Sequence, residues 1–97
     1  MTTTPPIGAF HEALDAGRFF EAHEILEAYW IGYRGGDRNF YKGLIQAAVA
    51  LHHASEGNVL GAGALASRAR GYLEPFAPRH RGVDVDGMLD RLSRIVA

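Results

Sequence analysis

Residues Phe19 to Tyr33 read FFEAHEILEAYWIGY, and this stretch decides the fold. Wound at about 100° per residue, Phe19, Ala22, His23, Leu26, Trp30 and Tyr33 fall on one side. His23 stands near the middle of that apolar stripe, and Glu27 lies one turn on at its edge. Phe20 and Ile31 add a second apolar patch, so more than half of the circumference is apolar. A helix of that kind is expected to have neighbours on several sides, unlike a surface helix with a single stripe.

The flanking chain carries the same period. Pro5 and Pro6 suit the first turn of a helix or the residues before it. A first helix is expected over about residues 7–16, with Phe10, Ala13 and Leu14 at core spacing and Gly17 as its left-handed stop. The second helix runs from Arg18 to Arg34, and Gly35-Gly36 ends it. That short connection returns the third helix antiparallel. Asp37 is a natural N-cap for the third helix, which extends to about Glu56 and contains FYKGLIQAAVALHHA. Helices two and three are therefore expected as the central pair. Lys42, Gln46 and His53 share one stripe, and His52 points roughly 100° away from His53.

Gly57 closes the third helix and Asn58 caps a fourth, with Ala62, Leu65, Ala66, Ala69, Tyr72 and Leu73 on its face until Pro75. Residues 77–82 hold Pro78, Arg79, His80 and Arg81 and read as a basic, exposed loop. Asp84 or Asp86 caps a last helix with the stripe Met88, Leu89, Leu92, Ile95 and Val96. No alternation of period two lasts long enough to predict a strand. The expected fold is all-α: a compact bundle of about five helices with two central buried antiparallel helices, in a single domain over 1–97 whose residues 1–6 fray.

Composition narrows the function. Over 97 residues the apolar fraction is 47%, the charged fraction 22% and the net charge -1, which argues against wholesale nucleic-acid binding. There is no cysteine, so disulfides, thiolate metal sites and a cysteine nucleophile are excluded. The start MTTTPPIGAF lacks the basic and long apolar regions of a secretory signal, and no apolar run approaches the ~20 residues of a membrane span. Cytoplasmic location without a membrane partner is the default expectation. A chain this short buries only roughly 60–65% of its unfolded surface, so self-association into a homo-oligomer would help it. The small residues Gly43, Ala47, Ala48, Ala50 and Ala54 offer a face for close approach.

The segments GRFFEAHEILE (17–27), Trp30, GLIQAAVALHH (43–53) and EGN-x-x-GA (56–62) resemble the bacterial and archaeal family of small helical proteins named domain of unknown function 309. Its pattern joins a phenylalanine or tyrosine pair to an E-x-HE-x-x-E helix, then an aromatic, a glycine-led helix ending in histidine, and a G-N-x-x-G-A turn. The match covers about residues 7–75. The resemblance implies a small all-helical, cytoplasmic protein and implies no activity. The family's third-helix histidine corresponds to His52 or His53, which face different ways here.

The chemistry centres on the HExxE run His23, Glu24, Ile25, Leu26, Glu27. It is one residue from the H-E-x-x-H of zinc metalloproteases, with Glu27 in place of the second imidazole. A metal set of His23, Glu27 and a third-helix histidine, taken as His53, would hold a divalent transition metal, with Gln46 outside it. Nothing in the sequence requires a cofactor. The competing expectation is structural: His23 bonds Glu27 or a facing Gln46, so that no polar group is buried alone.

Other patterns carry less. Di-iron bundles repeat Glu-x-x-His, which does not occur here. Gly61 to Ala66 has the letters of a dinucleotide turn, but follows a helix rather than a strand. Asp84 to Gly87 lacks the closing ligands of a calcium loop. Arg68, Arg70, Arg79, His80 and Arg81 make a late basic cluster that gives a third, weaker reading as an RNA- or phosphate-binding surface; without interleaved exposed aromatics or net basic charge, a nucleic-acid partner is not expected. The favoured expectation is a non-catalytic binding or assembly module with an unidentified protein partner. The alternative is a metal-binding protein or metal-assisted hydrolase using His23, Glu27 and the third-helix histidine.

Overall fold

The computed structural model describes residues 4–96, and the side chain of Val96 lies outside the description, as do Met1 to Thr3 of the segment expected to fray. Five α-helices occupy most of the described residues: α1 Ile7–Asp15, α2 Phe19–Gly32, α3 Arg38–Ser55, α4 Val59–Leu73 and α5 Val85–Val96. A 3-10 turn, Glu74–Phe76, continues α4 past its end. Two short antiparallel strands pair here: β1 Arg79–His80, inside the segment read as an exposed loop, and β2 Val83–Asp84, just past it.

Backbone bonds at the helix ends explain the breaks. Gly17 has φ +79; its N–H donates to the Leu14 carbonyl and that of Arg18 to Ala13. Gly57 repeats this at the end of α3, with φ +80 and the Asn58 N–H donating to His53. Both are Schellman closures, which need a left-handed residue one past the cap. The Asn58 Oδ1 then accepts from the Gly61 N–H at 3.0 Å and starts α4. Asp84 does the same for α5 through the Gly87 N–H.

The core is α3 with α4 laid antiparallel upon it. Ala47, Ala48 and Ala50 of α3 and Ala62, Ala66 and Ala69 of α4 are all buried. At Gly43 a Cβ would lie 2.8 Å from Leu73 side-chain atoms, so only glycine permits that approach. Of the face of small residues expected to serve self-association, Gly43, Ala47, Ala48 and Ala50 are thus buried and Ala54 is exposed. Phe10, Leu14, Leu26, Phe40, Leu44, Leu73, Val85 and Leu92 complete the core from all five helices. Each fully buried side chain of this kind stabilises the fold by about 1.5–3 kcal/mol relative to exposure.

The expectation for α2 needs correction. α3 and α4, rather than α2 and α3, form the central pair, and α2 packs mainly on α1 and α3. Only Ala22 and Leu26 of α2 are fully buried, while Phe20 and Ile31 are 48% and 64% exposed. An all-round apolar helix at the edge of a five-helix bundle has no neighbour left for its outer patch.

Candidate functional site

His23 is held inside its own helix. Its Nε2 lies 3.1 Å from Glu27 Oε2, and its Nδ1 lies 3.2 Å from the Phe20 carbonyl oxygen. Both partners only accept, so a neutral ring can donate to one of them and both are satisfied together only when each ring nitrogen carries a proton. A metal at either nitrogen would displace one of these bonds. The His23 side chain is largely buried and Glu27 is half-exposed. Glu24 is exposed on the outer side of α2.

The α3 residues do not converge on this pair. The Asn58 amide donates to His53 Nδ1 at 3.3 Å, which ties His53 to the turn before α4. His52 instead approaches α2: the Phe20 ring lies 4.9 Å from the His23 ring and 5.3 Å from the His52 ring. The offset of about 100° between adjacent helical residues decides this. Gln46 meets neither histidine, and its Oε1 is shut from solvent with no hydrogen-bond partner among the described residues. Among the described residues no three His, Asp or Glu side chains gather into a metal-ligating group. The set His23, Glu27 and His53 is therefore not assembled in this structure.

A second polar cluster has no counterpart in the sequence reading. Asp37 is the one charged residue buried among those described, at 8% exposure. It occupies the N-cap position of α3, yet its carboxylate makes no cap bond. His80 Nε2 donates to Oδ1 at 2.9 Å and Arg81 Nε to Oδ2 at 2.6 Å, across 43 and 44 residues of chain. The Tyr33 hydroxyl accepts from the Asp37 N–H at 3.2 Å. The His80 ring sits between Phe40 and Phe76, with centroids at 4.7 and 4.8 Å. Burial alone would raise the Asp37 pKa, but the bonds from His80 and Arg81 outweigh it and hold the carboxyl below its ordinary value. Burial first, then Tyr29 and Tyr33 beside it, pushes the Tyr41 phenol upward.

The strands present this cluster. Arg81 and Gly82 both have positive φ, 52 and 78°, as a two-residue I′ hairpin turn demands. A left-handed arginine costs roughly 1–2 kcal/mol of backbone energy, and its ion pair with Asp37 opposes that cost. The residues expected as a free basic loop instead fasten the hairpin to the start of α3. No local sequence signal marks this pairing, since Asp37 reads as an ordinary N-cap and its partners lie in a distant basic turn.

Chemically, the first cluster is a local histidine–carboxylate pair and the second an oriented imidazole–carboxylate–guanidinium group. Neither has a serine or threonine hydroxyl among its hydrogen-bond partners.

Comparison with known proteins places the chain. An uncharacterized protein of Aquifex aeolicus (strain VF5) is 47% identical over 47 residues, covering 47% of this chain and 14% of that protein. The uncharacterized protein YpuF of Bacillus subtilis (strain 168) is 38% identical over 80 residues, covering 81% of this chain and 42% of that protein. The chain thus spans less than half the length of either relative. No solved structure matches it. The family described as Domain of unknown function (DUF309) matches residues 7–65, which take in the His23–Glu27 run, the α2–α3 connection and the Asn58 cap: the chain belongs to the DUF309 family.

Proposed function

We propose that this protein is a non-catalytic helical module that assembles with a second copy of itself through the end of the bundle carrying the α3–α4 turn. The observation that supports this reading is where large apolar side chains remain in solvent. Val59 and Leu60, which open α4, are 72% and 89% exposed. Phe20 contacts His52 near the end of α3, so it lies at the same end of the molecule. The alanine faces of α3 and α4 are largely enclosed within the fold, so association uses this end. A chain of 97 residues has a thin core, and covering exposed apolar surface in a dimer adds burial that the monomer lacks.

Sedimentation equilibrium from micromolar to millimolar concentration tests it. Reversible dimerisation is expected, and Leu60→Asp should abolish it without changing the helical content. A strict monomer across that range would sink the assembly reading. The metal-dependent alternative is the weaker reading, since no third ligand stands with His23 and Glu27 among the described residues.

A further inference from the structure

Neither polar cluster uses a strip of cations and aromatics that crosses from α2 over α3 to α4. Lys42 of α3 stands between the outer helices. Its Nζ is 5.9 Å from the centre of the Trp30 ring on α2 and 5.3 Å from that of Tyr72 on α4. Arg38, one turn earlier, lies 4.2 Å over Trp30, but it donates to the Trp30 and Tyr33 carbonyls and closes the end of α2. Arg68 is exposed, one turn before Tyr72 on the same face of α4. Arg68, Gly71 and Tyr72 line a surface hollow of about 380 Å³. Among the described residues, Lys42 and Arg68 form no ion pair with a carboxylate.

We infer that this hollow binds a small phosphate ester, with Arg68 of its lining and Lys42, beside Tyr72 at its edge, holding the phosphate and the Tyr72 ring contacting the organic part. An ammonium placed against two rings keeps its charge while losing part of its hydration, and an anion restores what it lost. A guanidinium one helical turn away adds a planar donor fork suited to phosphate oxygens. The hollow is open and lined by α4 alone, with room for a ligand of mononucleotide size held at its surface. A polynucleotide fits less well: the chain has 11 acidic against 10 basic residues, so it offers no long-range attraction to a polyanion. Gly71 keeps the hollow open, and a Cβ there would meet nothing within 4 Å. A larger side chain at this position therefore fills the site while leaving the packing alone.

The test is an NMR titration of the isotope-labelled full chain with AMP and, separately, with inorganic phosphate, at fixed ionic strength. Saturable shifts confined to the amides around Lys42, Arg68, Gly71 and Tyr72 are expected, with AMP the tighter ligand. Arg68→Glu and Gly71→Leu should each weaken AMP binding about tenfold or more. The control Arg94→Glu, at an exposed residue paired with Asp90, should stay within about twofold. Absence of saturable shifts at millimolar AMP would overturn the inference, as would equal losses in Arg68→Glu and Arg94→Glu. A short single-stranded oligonucleotide binding about a hundredfold tighter than AMP, with steep salt dependence, would overturn it in favour of nucleic acid.

Discussion

The end of the bundle that holds Asp37 and the end that holds Leu60 are closed in different ways. At the first, side chains do the closing: Asp37 takes His80 and Arg81, Arg38 caps the carbonyls of α2, and Phe40 packs against Phe76 and His80. At the second, the backbone closes itself through Gly57 and Asn58. Of the side chains, Asn58 and His53 bond across that turn, and Val59 and Leu60 are left in water. The end sealed by its own backbone leaves Phe20, Val59 and Leu60 in solvent, whereas the end sealed by side chains leaves Ile31.

The comparison breaks most easily at Phe40. It is fully buried and lies within 5.3 Å, ring to ring, of Tyr41, Phe76 and His80, so Phe40→Ala should cost about 3–5 kcal/mol in urea unfolding. A loss under about 1 kcal/mol would mean that the side-chain-sealed end contributes little. Asp37→Asn should cost about 1–3 kcal/mol by leaving its partners poorly matched. The same residue sets an acid response. Its folded pKa is depressed, so its contribution is complete above the ordinary carboxylate value and is lost as pH falls below about 4. Melting midpoints of the wild type should therefore fall on acidification more than those of Asp37→Asn. His23→Ala removes a local pair and should cost about 1 kcal/mol, with the helix content kept. At the opposite end, Leu60→Ser should change monomer stability by no more than about 0.5 kcal/mol. A larger loss in a dilute monomer would show Leu60 to be packed.

The helices were legible because their signals are local. Core spacing, Gly17, Gly57 and Asn58 act over a few residues, and each helix lies within a few residues of where periodicity puts it. The His23–Glu27 pair was legible for the same reason, since an i, i+4 relation is fixed once the helix is. Which helix took the centre was not. α2 and α3 are both apolar, and only the tertiary packing shows that alanines bring α4 closer to α3 and leave α2 at the edge. Asp37 was misread as an ordinary cap because its partners are more than 40 residues away. The strip of Trp30, Lys42 and Tyr72 was hidden likewise, being drawn from three helices.

The distance along the chain between Asp37 and its partners also bears on the order of folding events. Contacts that close 43 and 44 residues carry a larger loop-closure entropy than the α3–α4 hairpin, whose helices are joined by three residues. The hairpin is therefore expected to form early, with the attachment of residues 79–84 to α3 following the rate-limiting step. Kinetically, then, Asp37→Asn should steer its whole effect into the unfolding rate and leave refolding unchanged. On that outcome the Asp37 cluster is a brake on opening with no part in how fast the chain first collapses.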